Sequence, residues 1–258
     1  MLPDFLHIGA AKCASTWLWT VYQEHPEICV PTLKVENYSG RVTLPDNVNF
    51  FVADFYRGLE WYEQTYFSQW NGEKAVGEFS NSYMMDELAL QRIAESLPDV
   101  KLTMTVRNPI DVTFLQYCQQ KHGGRWAQGK NPFEAVLDIH SWQRFRMWVE
   151  PGYFYLHLTR VLRYVPRERL LVLVYDDLKE DPRAFLDQAL SFIGVSTDVD
   201  LPSMNKVIGF PRPNEPDTDE DDIKQGMTPD LRERLRRIFA EQTAKLAEFL
   251  DRDLSHWT

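Results

Sequence analysis

Phe5-Leu6-His7-Ile8-Gly9-Ala10-Ala11-Lys12-Cys13-Ala14-Ser15-Thr16-Trp17-Leu18-Trp19 is the stretch that decides the fold. An apolar run gives way to small residues, one lysine and two hydroxyls. An apolar pattern at helical spacing follows, through Leu18, Val21 and Tyr22. This reads as a strand, a tight loop and the start of a helix. Such a loop aims backbone N–H groups and the positive end of a helix dipole at an anion. Lys12 adds a mobile point charge, and Ser15 and Thr16 add hydrogen-bond donors. The loop is not of the Walker A kind, which needs lysine directly before the hydroxyl. Here Lys12 precedes Ser15 by three residues. A plain strand-to-helix turn is the alternative reading of these residues taken alone.

The remainder of the 258 residues alternates in the same way. Lys74–Glu78, Lys101–Val106 and Arg169–Tyr175 read as strands, and the last is a nearly continuous apolar run. Continuous runs of that kind suit a parallel sheet buried on both faces. Helical spacing marks 59–67, 86–96, 110–120, 182–193 and 229–250, with a break at Pro151-Gly152 inside a helical stretch from Ser141 to Val165. Thr32 to Asn49 is polar, shows no clean period and reads as a long loop. The expectation is an α/β protein: one domain over 1–258, with a mainly parallel central sheet flanked by helices.

Composition sets limits on function. The chain is 44% hydrophobic and 26% charged, ordinary for a globular protein. Its formal net charge of −10 argues against a nucleic-acid partner. Three cysteines, Cys13, Cys29 and Cys118, have no metal-ligand spacing, and reduced thiols in a cytoplasm are the simplest reading. No metal is implied. No apolar run approaches the ~18–20 residues of a membrane span, so no membrane anchor is expected. The acidic run from Glu215 to Asp222 reads as a solvated loop, and so does the basic stretch from Lys121 to Lys130.

Lys12, Ser15, Thr16 and Trp17 resemble, position by position, the 5′-phosphosulfate loop of sulfotransferases that use 3′-phosphoadenosine 5′-phosphosulfate (PAPS). Ala14 stands where that family has glycine, a mild departure if φ there is negative. Arg107-Asn108-Pro109, at the end of a strand, resembles the family's 3′-phosphate motif, with Tyr117 matching its tyrosine. Val112 and Leu115 depart from it, Leu115 replacing the phosphate-binding serine; Thr113, Gln116 and Gln119 are the polar residues nearby. Gly77-Glu78-Phe79-Ser80, Gly152-Tyr153 with His157, Val174-Tyr175-Asp176-Asp177-Leu178 and the loop through Gly209-Phe210 match further elements in the right order. The resemblance covers nearly the whole chain and lies closest to the heparan-sulfate-type sulfotransferases and their bacterial relatives.

The resemblance implies PAPS as co-substrate and a carbohydrate or small-molecule acceptor. It assigns the nucleotide to Lys12, Cys13, Ala14, Ser15, Thr16, Trp17, Arg107, Gly209, Phe210 and Arg212, with Trp17 either stacked on adenine or packed in the core. It assigns catalysis to Lys12, to Lys34 facing the sulfuryl oxygens, and to a carboxylate base. The family's base follows its lysine directly, where this chain has Val35; Glu36 comes one residue later and is the first candidate, with Glu78 the second. Two other readings stay open: a sulfotransferase-fold nucleotide-binding protein without catalysis, and an NTP-dependent phosphotransferase.

Overall fold

The computed structural model describes residues 1–36, 40, 42–122, 142–206, 208 and 227–257. They fall into two compact units: Met1–Val106 with Arg160–Ile208, and Arg107–Thr159 with Gly209–Thr258.

The first unit holds a five-stranded sheet of β1 (Phe5–His7), β2 (Ile28–Cys29), β5 (Ala75–Phe79), β6 (Lys101–Val106) and β7 (Leu170–Val174). Its order is β2-β5-β1-β6-β7, and every pairing is parallel. β1 and β5 are buried along their whole length, and β6 is buried beyond its first residue. Helices on both faces of a parallel sheet bury both sides of its strands, and here that includes the polar residues Glu78 on β5 and Thr103 and Thr105 on β6. The chain reverses its direction of winding at β1, and in such sheets ligands bind beyond the carboxyl ends of the strands at that point.

Packing around β1 depends on one glycine. Phe5 is level with Gly77 across the β1–β5 pairing. A Cβ on Gly77 would lie 2.4 Å from the Phe5 ring, so the ring occupies the space a side chain would take. Phe5 meets Tyr22 edge-on at 5.6 Å, and Tyr22 meets Phe79 at 5.7 Å. Helix Pro182–Ile193 adds Phe185, Leu186 and Leu190 to this core. Its ends follow from sequence: Asp181 caps it, Pro182 occupies the first turn, and Gly194 closes it at φ 93°.

The polar stretch 32–49 contains a hairpin that its sequence does not announce. β3 (Val35–Glu36) pairs antiparallel with β4 (Val42–Thr43), Val35 opposite Thr43 and Glu36 opposite Val42. Strands of two residues are too short to show a period.

The second unit contains the helix Pro109–His122 and the long helix Pro229–Leu250. Asn108 accepts the Ile110 N–H at 3.0 Å and Pro109 opens the helix, so Asn108-Pro109 is a helix start in its own right. Ile110, Phe114, Leu115, Trp148, Leu235 and Phe239 form the core. Gly152 packs tightly, since a Cβ there would lie 2.8 Å from the Phe239 ring. Among the described residues, no helix is long and apolar enough to cross a membrane.

Candidate functional site

The loop after β1 runs beside β6 before it turns. The Ile8 and Ala10 N–H groups donate to the Thr103 and Thr105 carbonyls, and Thr105 N–H donates to Gly9. On the other side Ser80 N–H donates to His7 O, and Met84 N–H to Ile8 O. Gly9 has φ 139°, and a Cβ on it would sit 2.7 Å from Met84 Sδ and 3.1 Å from the Asn81 carbonyl. Only glycine fits where the chain passes this closely.

Two residues of the loop are left-handed: Lys12 at φ 65° and Ala14 at φ 68°. The φ of Ala14 is positive, so the condition under which alanine would be a mild departure from glycine is not met; this position has the backbone of a glycine and carries an alanine. α1 (Ser15–Glu24) follows, with Ala14 as N-cap and no side-chain cap. The first intrahelical bond is Leu18 N–H to Ala14 O at 3.0 Å. The N–H groups of Ser15, Thr16 and Trp17 are therefore left without an intrahelical acceptor. Left-handed residues ahead of an uncapped helix start make the kind of concavity that binds anions. A phosphate-containing nucleotide fits such a cradle.

The other proposed site residues divide by their surroundings. Ser15 is buried at the helix start. Cys13 is fully buried, its thiol 3.5 Å from Ala11 O, so in its case the loop offers backbone and not a side chain. Trp17 is 4% exposed and meets Phe185 edge-on at 6.0 Å. Of the two roles open to it, the structure shows the core one: α1 is amphipathic and Trp17 is on its inner face. Arg107, next after the last residue of β6, is buried in the second unit. Leu115 belongs to that unit's apolar core. Thr113 donates its one hydroxyl proton to Pro109 O at 2.8 Å, and Gln116 donates one of its two amide N–H groups to Met147 O at 2.9 Å. Gly209, Phe210 and Arg212 lie outside the described residues, as do the basic loop beyond His122 and the acidic run.

Glu78 is sealed. It is completely buried, receives Tyr62 and Tyr83 hydroxyls on Oε1 at 3.0 and 2.7 Å, and the Ser80 hydroxyl on Oε2 at 2.6 Å. Burial pushes its carboxyl from 4.5 up to about 7, against the pull of the three hydroxyls. With both oxygens enclosed, it braces the aromatic cluster of Phe50, Phe51, Tyr62 and Tyr83 and has no open face for an acceptor. His7, opposite Phe79 in the β1–β5 pairing, is buried and bonded to Thr103 Oγ1 at 3.0 Å, and burial lowers it to about 3.

Glu36 and Lys34 are exposed. Val35 and Glu36 are consecutive in β3, so their side chains take opposite faces. Lys34 is two residues from Glu36, the spacing that puts both on one side of an extended chain. Asp46 is the residue that sequence reading missed. Its Oδ2 accepts the Thr16 hydroxyl at 3.0 Å. It is delivered by a segment stitched to the end of β5: Asn81 N–H donates to Asn47 Oδ1, Val48 N–H to Phe79 O, and Asn49 N–H to Ser80 Oγ. Thirty residues separate Asp46 from Thr16, and no local pattern signals the pair.

Comparison with known proteins identifies the family. The pattern of the sulfotransferase domain family matches residues 2–249. A mouse bifunctional heparan sulfate N-deacetylase/N-sulfotransferase 4 is 28% identical over 205 residues, 76% of this chain and 22% of that protein. The chain thus spans about a fifth of the length of that curated relative. A sulfotransferase from Alicyclobacillus acidocaldarius superposes with a TM-score of 0.76 at 25% identity, covering 100% of this chain and 99% of that one. A mouse sulfotransferase complexed with PAP shares the fold, with a TM-score of 0.55 at 14% identity over 94% of this chain and 85% of its own. With a family match that spans almost every residue and a parallel sheet whose first strand leads into an uncapped helix through a lysine-bearing loop, the chain belongs to the sulfotransferase domain family.

Proposed function

We propose that the chain moves a sulfuryl group from PAPS to a hydroxyl or amine of a carbohydrate or small-molecule acceptor, as one sulfotransferase-type domain. The observation that carries this reading is the uncapped start of α1 behind left-handed Lys12 and Ala14. The family match over 2–249 supports it.

In this reading the N–H groups of Ser15, Thr16 and Trp17 hold the 5′-phosphate and Arg107 holds the 3′-phosphate bidentately. By the resemblance, Gly209 and Phe210 also contact the nucleotide and Arg212 serves the 3′-phosphate. The acceptor oxygen or nitrogen attacks sulfur in line. A new bond to sulfur forms as the bond from sulfur to the phosphate oxygen breaks. Lys12 neutralises the charge that develops on that leaving oxygen, and Lys34 faces the equatorial sulfuryl oxygens. Catalysis of this kind is positioning plus electrostatics. The acceptor's proton passes to Glu36, exposed and on the side of the chain that Lys34 shares. Glu78, enclosed by three hydroxyls, holds the scaffold.

The test is transfer of labelled sulfate from PAPS to a panel containing an N-deacetylated heparosan oligosaccharide, a primary alcohol and a phenol. Wild type labels at least one member and Lys12→Ala labels none. Near-normal transfer by Lys12→Ala refutes the role of the loop.

A further inference from the structure

Asp46 is an anion set beside an anion-binding loop. Its carboxylate accepts the hydrogen bond of the Thr16 hydroxyl at 3.0 Å, and Thr16 is the second residue of α1. A threonine hydroxyl has one proton to give. While Asp46 holds it, the hydroxyl turns only lone pairs toward anything else. A phosphate on the first turn of α1 either draws that proton away from Asp46 or goes without it. In both cases it stands one hydroxyl group from a carboxylate. The backbone around Asp46 is fixed, since Leu44 and Asn47 bridge across it and Asn47, Val48 and Asn49 are tied to the end of β5. The carboxylate is therefore built into the loop's surroundings.

We propose that Asp46 is a specificity-determining residue that sets the loop against the spent nucleotide, weakening the bisphosphate product more than the phosphosulfate donor. This rests on the sulfotransferase reading of the loop. In PAPS the 5′-phosphorus is bridged to sulfate and carries one ionised oxygen, the sulfate's own charge lying further out. Transfer breaks the bond between sulfur and the bridging oxygen and leaves that oxygen, with its electron pair, on phosphorus. The product is a phosphate monoester whose second ionisation lies near pH 6, so it holds close to two charges at neutral pH. The charge facing Asp46 rises by about one unit as the reaction completes. Like charges repel as the inverse of their separation, and weak screening in a half-buried loop preserves the effect. Asp46 thus favours exchange of product for fresh donor. Release of product limits turnover in many enzymes, which gives such a device a use.

The test is calorimetric titration of the whole chain, as wild type, Asp46→Asn and Asp46→Ser, with 3′-phosphoadenosine 5′-phosphate (PAP), with PAPS in the absence of acceptor, and with 3′-AMP, which lacks the 5′-phosphate. Asp46→Asn and Asp46→Ser bind PAP about tenfold more tightly than wild type, equivalent to about 1.4 kcal/mol. They bind PAPS no more than about threefold more tightly, and 3′-AMP as wild type does. The serine variant decides the matter if the asparagine variant fails to fold. Unchanged or weaker PAP binding in the variants overturns the inference and leaves the sulfotransferase reading standing, because wild type still binds PAP. Equal tightening toward 3′-AMP also overturns it. Failure of wild type and variants alike to bind PAP removes the reading itself and the inference with it.

Discussion

Tyr83 donates its hydroxyl to Glu78 across 2.7 Å in a site from which water is excluded. The bond favours the ionised carboxylate, and burial opposes it more strongly, so Glu78 titrates near 7 in the folded protein and near 4.5 in the unfolded chain. A raised carboxyl pKa means that the folded state binds the proton more tightly. The stabilisation is complete below about pH 4.5 and is lost as pH rises through about 7. Asp4, raised by burial to about 6, adds a smaller effect of the same sign. His7, lowered to about 3, acts in the opposite sense below pH 6.5, because the unfolded chain takes up the proton first.

Glu78→Gln isolates the first of these contributions. Measured by denaturant unfolding at pH 4.5 and pH 8, wild type loses on the order of 3 kcal/mol more than the variant over this interval. The difference between the two proteins cancels Asp4 and His7. Parallel pH profiles would contradict the buried, proton-binding role of Glu78.

Gly77→Ala tests the packing of β1 on β5. The added Cβ meets the Phe5 ring at 2.4 Å, and Phe5 has nowhere to go in a fully buried core. The expected loss is about 2–3 kcal/mol. Phe5→Leu in the same chain recovers part of it, and a double-mutant cycle reads the coupling. Additive losses would show that the ring does not occupy the glycine's space.

Ala14→Gly tests the left-handed backbone at the head of α1. An L-residue there costs about 1–2 kcal/mol, and the greater freedom of glycine in the unfolded chain returns part of that. The net gain expected is roughly 0.5–1 kcal/mol, seen as a higher melting temperature. A loss of stability would place Ala14 at negative φ.

Much of the fold is legible because its signals are local. The strand at 170–174 is an apolar run too short for a buried helix, and that at 101–106 alternates Leu102, Met104 and Val106 with threonine. Helices 182–193 and 229–250 are punctuated by Asp181-Pro182, Gly194 and Thr228-Pro229, each of which has a backbone reason to stand at a helix end. What escapes sequence reading depends on distant partners. The hairpin at 35–36 and 42–43 has no period to read. Once it forms, consecutive Val35 and Glu36 face opposite ways, so the one-residue shift of the carboxylate matters more than it would in an irregular loop. Trp17 suits both a core and a stacking role until Phe185 is placed beside it. Nothing in the letter at position 14 announces a positive φ, because alanine seldom adopts one. Glu78 is on a strand buried on both faces, where alternation no longer tells an inward side chain from an outward one. Asp46 reaches Thr16 only because the chain that follows it is sewn to β5.

The claim that the loop after β1 receives a 3′,5′-bisphosphorylated nucleotide is tested most directly by calorimetric titration of the wild-type chain with PAP, ATP and 5′-AMP in parallel. The account predicts that PAP binds, and that ATP and 5′-AMP, which lack the 3′-phosphate offered to Arg107, bind at least about 100-fold more weakly, a gap of about 2.7 kcal/mol. Tighter binding of ATP than of PAP would contradict it.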